Sequence, residues 1–137
     1  MAEIAVERDF AASADAVWEK LGNFGEMGWM PGVASCEVEG EGLGAVRKIA
    51  MGPATVVERL EAHDDSGRIL SYSITEGPIP VQNYLATITV SESGSGCHVD
   101  WIAKFDLPEG VPADAVKPAL EGAYGGALDA LKEQLGG

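Results

Sequence analysis

The residue with the most chemical promise is a glutamate on an apolar strand face. Over residues 55–62, Val56, Glu58 and Leu60 alternate with Val57, Arg59 and Glu61, so strand geometry puts Glu58 on one side with two aliphatics. A carboxylate taken out of water needs hydrogen bonds, a counter-charge or a wet environment, and burial raises its pKa. Two readings fit. Glu58 is a polar anchor or general acid/base for a bound molecule, with Tyr72, Asn83 and Tyr84 as hydrogen-bonding neighbours; or it sits at a twisted sheet edge, solvated or paired with Arg47, Lys48 or Arg59.

Other reactive constellations are missing from the pattern. Cys36 and Cys97 lack CxxC spacing, and His63 and His98 do not join them in a metal-ligand motif, so no metal is expected. There is no Ser-His-Asp set and no phosphate-binding glycine loop, so no cofactor is expected either. His63 falls at a turn and His98 alternates outward beside Val99, which makes both surface residues. A net charge of -13 over 137 residues repels nucleic acid and anionic membrane surfaces, and no apolar run reaches transmembrane length. The N-terminal residues alternate apolar and charged types instead of forming a leader, so the reading is cytoplasmic, with reduced cysteines.

The elements that must position Glu58 follow from hydrophobic period and turn chemistry. Ile4, Val6 and Phe10 mark a half-buried strand near residues 3–10. Ser13 caps a helix carrying Ala14, Val17, Trp18 and Leu21, which Gly22 stops, and a second short helical turn is expected from Phe24 to Trp29 before Pro31-Gly32. Turn signals then recur at 39–44, 51–53, 64–67, 76–80 and 93–96, the punctuation of a meander of hairpins. Beyond Gly110 the period becomes helical: Val116, Leu120, Tyr124, Ala127, Leu128, Leu131 and Leu135 form one stripe, with Pro118 blurring where that helix starts. The whole chain, 1–137, reads as one α+β domain in which a curved antiparallel sheet of about seven strands, with two short helices after the first, wraps a long C-terminal helix.

Alternation assigns the inward faces: Leu70, Tyr72 and Ile74; Tyr84, Ala86, Ile88 and Val90; Val99, Trp101, Ala103 and Phe105. The C-terminal helix also carries small residues, Ala119, Ala123, Gly126 and Ala130, with Gly122 and Gly125 nearby. These either leave volume for a ligand or let backbone pack closely on the sheet. Trp29, Met30 and Met27 are an adaptable apolar rim or core packing, and residues 76–84 are a lid or a proline hairpin loop. The candidate ligand-binding set is Glu58, Tyr72, Asn83, Tyr84, Trp29, Met51, Ile74, Trp101, Leu120, Ala123, Tyr124 and Ala127.

The ordered set Ser13-Ala-Asp-Ala-Val-Trp18, Trp29-Met-Pro-Gly32, Glu58-Arg-Leu60 with Asp64, Tyr72-Ser-Ile74, Asn83-Tyr84 and the closing helix resembles the helix-grip superfamily of birch-pollen-allergen-like and START-like proteins. Within it, the chain looks like bacterial members of the polyketide cyclase/dehydrase-like group. The middle section is also similar to plant abscisic-acid receptors. By that resemblance Glu58 and Tyr84 line a ligand pocket, with Tyr72 at an aromatic pocket position. Ala34 stands where those receptors carry the lysine that meets the hormone carboxylate. The 51–54 loop is also shorter than their gate loop, so hormone reception is not implied, although residues 76–81 lie where their latch would be.

The expected function is binding of a small hydrophobic molecule, aromatic, polyketide-like or lipid-like, in a cavity between sheet and helix. One alternative is a cofactor-independent cyclase, dehydratase or hydrolase using Glu58 as acid/base, with Tyr72 or Tyr84 stabilising an enolate. Another is an accessory protein that docks a partner through the Trp29 and Glu76 loops; no protein partner is specifically indicated.

Overall fold

The computed structural model describes residues 2–136. Seven strands and two helices follow in the order β1 (Ala2–Phe10), α1 (Ala14–Leu21), β2 (Ser35–Glu39), β3 (Val46–Met51), β4 (Ala54–Asp64), β5 (Ile69–Glu76), β6 (Gln82–Ser93), β7 (Gly96–Asp106) and α2 (Ala113–Gln134). All neighbours pair antiparallel in one sheet of order β1-β7-β6-β5-β4-β3-β2, so the chain's first two strands form the two edges. The alternation in the sequence carries over to burial. Ile4, Val6, Leu60, Leu70, Tyr72, Ile88, Val99, Trp101 and Phe105 from the inner faces join Val116, Leu120, Leu128 and Leu131 of α2 in a single core.

Local chemistry sets the element ends. Ser13 Oγ accepts from the Ala16 amide at 3.2 Å, capping α1. Gly22 is the C-cap, and the Trp18 ring lies against it: a Cβ there would come within 2.4 Å of Trp18 Cε2. The expected second helical turn is absent, and residues 24–29 are turns joined by irregular backbone. The side chains explain this. Asn23 Oδ1 accepts from the Gly25 amide and Glu26 Oε1 from the Gly28 amide, offering the backbone local partners that compete with a helix.

The start of α2 lies five residues upstream of Pro118, at Ala113 after an extended Pro112. Pro118 is thus inside the helix, where its missing N–H leaves the Asp114 carbonyl without its usual partner. Four of the small residues on α2 are exposed, Ala119, Gly122, Ala123 and Gly126. Gly125 alone among the α2 glycines is buried against the sheet, where a Cβ would stand 2.8 Å from Arg8 Nη2 and 3.8 Å from Val6 Cγ1. Arg8 Nε in turn bonds Asp129 at 2.8 Å, fixing α2 to β1.

Gly122 and Gly126 have open space where a Cβ would project. Gly122→Ala and Gly126→Ala are therefore expected to stabilise the fold by about 1 kcal/mol each, the helix-propensity gap between the two residues. Urea denaturation checks this; a loss of stability in either variant contradicts the placement.

His98 lies on the outer sheet face among three carboxylates. Nδ1 is 2.7 Å from Asp9 Oδ1, and Nε2 is 3.3 Å from Glu7 Oε1 and 3.2 Å from Asp100 Oδ1. Asp9 first, with Glu7 and Asp100, pushes its pKa up to about 9 against partial desolvation. A raised folded-state pKa gives stability that is complete below the ordinary value near 6.5 and is lost as pH rises through 9. The urea midpoint of the native protein should therefore fall between pH 6.5 and 9.5 more than that of His98→Gln. Parallel curves would show that the imidazolium contributes nothing.

Candidate functional site

Three neighbouring strands and α2 bring the site together. Arg47, Ile49 and Met51 of β3, Val56 and Glu58 of β4, and Tyr72 and Ile74 of β5 face Leu120, Ala123 and Tyr124 of α2. Trp101 forms one end, while Met27, Met30 and Ile79 come from loops. Between them lies a cavity of about 90 Å³ with almost wholly apolar walls. The β4–β5 register shifts at Val57/Glu58, where β5 carries one extra residue, Thr75, opposite the strand of the glutamate.

Glu58 lines the cavity and is paired with Arg47, but on an interior strand and buried, not at a solvated sheet edge. Arg47 sits directly across the β3–β4 ladder from it. Arg47 Nε donates to Glu58 Oε1 at 2.8 Å and Nη2 approaches the same oxygen at 2.6 Å, while Nη1 donates to the Phe24 carbonyl at 2.9 Å. The guanidinium carbon is 4.3 Å from the Phe24 ring centroid and 5.1 Å from that of Tyr72. Both charged residues are buried, Arg47 at 5% and Glu58 at 7% exposure. Burial raises the Glu58 pKa, with the Arg47 charge and hydrogen bond opposing that rise.

A second polar chain crosses the site. Trp101 Nε1 donates to Tyr72 Oη at 3.2 Å, and Tyr72 Oη donates to Tyr124 Oη over a long 3.4 Å. The Trp101 and Tyr124 rings stack at 4.1 Å and 8°. Burial drives the pKa of Tyr72 and of Tyr124 upward, with the Glu58 charge adding to each, so both phenols stay protonated at neutral pH.

Of the residues singled out in the sequence, Glu58, Tyr72, Met51, Ile74, Trp101, Leu120, Ala123 and Tyr124 meet at this cavity. Four do not. Tyr84 is buried behind Tyr72, its ring 5.9 Å from Phe105 and 6.2 Å from Tyr72, with its hydroxyl unpartnered. Asn83 adopts a left-handed φ of 52° at an irregularity in the β6–β7 register, and its exposed side chain donates to Asp106 Oδ2 at 3.0 Å. Trp29 is buried away from the cavity: its Nε1 donates to the Glu26 carbonyl, and its own carbonyl accepts from Gln134 near the end of α2. Ala127 packs in the core one turn below Ala123. Arg47, Ile49 and Ile79 line the cavity without having been singled out for it, although Arg47, Ile49 and Met51 share one strand face by simple alternation.

A second depression of about 420 Å³ opens on the surface along Pro78, Ile79, Pro80, Val111, Ala115 and Ala119. Ile79, Leu120 and Ala123 belong to both spaces and form the partition between them. On the far side of the sheet, Glu7, His98 and Asp100 present ligand-type atoms within 4.8 Å of one another, a grouping that linear spacing does not reveal. The same carboxylates favour the imidazolium form of their histidine, so a metal there would have to displace its proton.

A single antiparallel sheet gripping a C-terminal helix, with a cavity at the seam, defines the helix-grip class. The chain belongs to the polyketide cyclase/dehydrase and lipid transport family, whose model matches residues 1–136. It is similar over nearly its full length to the Bacillus cereus protein XoxI, at 32% identity and a TM-score of 0.90, covering 98% of this chain and 96% of that one. It is also similar to the abscisic acid receptor PYL6 of Arabidopsis thaliana, 32% identical over 96 residues that cover 64% of this chain but only 45% of the receptor. Ara h 8.0201 shares the fold, with a TM-score of 0.82 at 16% identity over 98% of this chain and 97% of that one. No helix among the described residues is long and apolar enough to cross a membrane.

Proposed function

We propose that this protein binds a small hydrophobic molecule in the cavity between β3–β5 and α2. The observation that carries the reading is the unfilled apolar space behind a thin wall of Ile79, Leu120 and Ala123, with an apolar groove on its other side. Protein interiors are normally packed to crystal-like density, so such a void at a sheet–helix seam is the kind of place where ligands lodge. An engineered apolar cavity of about 150 Å³ takes up benzene. The space here, about 90 Å³, suits a compact group whose remainder extends past Ile79 into the groove. The family's lipid transport members and the hormone-receptor relative favour the same reading.

Binding is favoured over turnover by the state of the titratable groups on the wall. Both tyrosines have phenol pKa values driven up, so neither phenol supplies a base at neutral pH, and Arg47 holds one oxygen of Glu58 in place. The test is a melting-temperature screen with small aromatic and acyl compounds. At least one should raise the midpoint, and Ala123→Trp, which places a large ring at an exposed helix position on the partition, should abolish that shift. A ligand at a hundred times its Kd stabilises by about 2.7 kcal/mol. A screen in which nothing shifts the native protein, or an Ala123→Trp variant that responds equally, overturns the proposal.

A further inference from the structure

Resting on the ligand-binding reading above, we infer that the bound group is a neutral hydroxyl, phenolic or alcoholic, and that the cavity discriminates against carboxylates. The argument is an inventory of what the cavity's polar atoms have left to offer. Three of the five N–H groups of Arg47 are directed at Glu58 Oε1 and the Phe24 carbonyl, and aromatic rings lie 4.3 and 5.1 Å from its guanidinium carbon. Its charge is balanced by Glu58. Both of its contacts with Glu58 fall on Oε1, and a carboxylate offers about four lone-pair sites, so acceptor capacity remains at the second oxygen.

The donor side follows from the aromatic chain. An indole N–H can only donate, so Tyr72 Oη accepts from Trp101, and its own O–H donates to Tyr124 Oη. In that order the Tyr124 proton has no acceptor within the chain. Tyr124 lines the cavity beside Glu58, close enough for the carboxylate charge to raise its pKa. The cavity therefore offers an acceptor at Glu58 and a donor at Tyr124. A hydroxyl can use both at once, since it donates through its hydrogen and accepts through its oxygen.

Other groups fit less well. A hydrocarbon leaves both positions unanswered. A carboxylate brings a second negative charge beside Glu58 when Arg47 is already neutralised, in a place with little water to screen it. An ammonium would reach Glu58 only next to the Arg47 cation.

The experiment compares 4-cresol, toluene and 4-toluate on the full chain at pH 7, reading dissociation constants from amide chemical-shift titrations. Cresol should bind at least about tenfold tighter than toluene, the scale of a hydrogen bond to a charged acceptor, and 4-toluate more weakly than either. Tyr124→Phe should weaken cresol and bring the cresol-to-toluene ratio toward one. Glu58→Gln, which frees the Arg47 charge, should shift preference toward 4-toluate. Toluene or 4-toluate binding the native protein as tightly as cresol overturns the hydroxyl assignment while leaving ligand binding intact. Failure of all three to perturb any amide would remove the ligand-binding reading itself, and this inference with it. Because Tyr124→Phe keeps the Arg47–Glu58 pair, the assignment is tested even if Glu58→Gln does not fold.

Discussion

Arg47→Met is expected to cost about 3–5 kcal/mol of folding stability at neutral pH, because it leaves Glu58 charged and unpaired at 7% exposure. Two further results should follow. The double variant Arg47→Met/Glu58→Leu should recover most of the loss, since an apolar pair of similar volume removes the uncompensated charge. The loss should also depend on pH in a defined sense. Burial already raises the Glu58 pKa above 4.5 in the native fold, and the Arg47 charge and hydrogen bond are what oppose it. Without them the folded-state value rises further. A group whose folded pKa exceeds its unfolded value adds stability that is complete below the unfolded value and disappears as pH climbs through the folded one. The destabilisation of Arg47→Met should therefore shrink as pH falls from 8 toward 4.5, as measured by urea unfolding. A cost below about 1 kcal/mol at pH 7 would mean that the pair is solvated and the site is open.

The second large effect is expected at Trp101→Ala. Trp101 is 3% exposed, stacks on Tyr124 at 4.1 Å and supplies the hydrogen that orients Tyr72, so removing its indole empties the seam between β7 and α2. Loss of a buried tryptophan costs about 3–5 kcal/mol. Trp101→Phe keeps most of the packing and loses one neutral hydrogen bond, so it should be milder by a clear margin. Guanidinium denaturation separates the two. Equal costs would assign the effect to the hydrogen bond and not to the volume.

Much of this arrangement could be read from residue order. Strand alternation placed Glu58, Tyr72, Ile74 and Trp101 on inner faces because a period of two leaves no freedom once one side is buried. The helix stripe likewise put Leu120 and Tyr124 inward. Irregular backbone defeated the same logic. Asn83 follows a register break that turns it outward, and residues 24–29 carry no period, so neither Trp29 nor a second helix could be placed from pattern. Tyr84 shows another limit: alternation says which side of the sheet a residue faces, not whether a neighbour stands between it and a void. Arg47 was legible only as one of three possible partners for Glu58, because the β3–β4 register that sets it directly opposite is not written in either strand's alternation. The small residues of α2 were ambiguous because glycine and alanine pack or lie open equally well, and here most lie open.

The position of β2 at the sheet margin has a consequence for how copies of the chain meet. A bare strand border is a template on which another molecule can add by backbone hydrogen bonds, and β2 carries Glu37 and Glu39, both exposed, along that border. Two such borders brought together would crowd like charges on molecules that each bear a net charge of -13, so crowded solutions of this protein should resist stacking into ribbons.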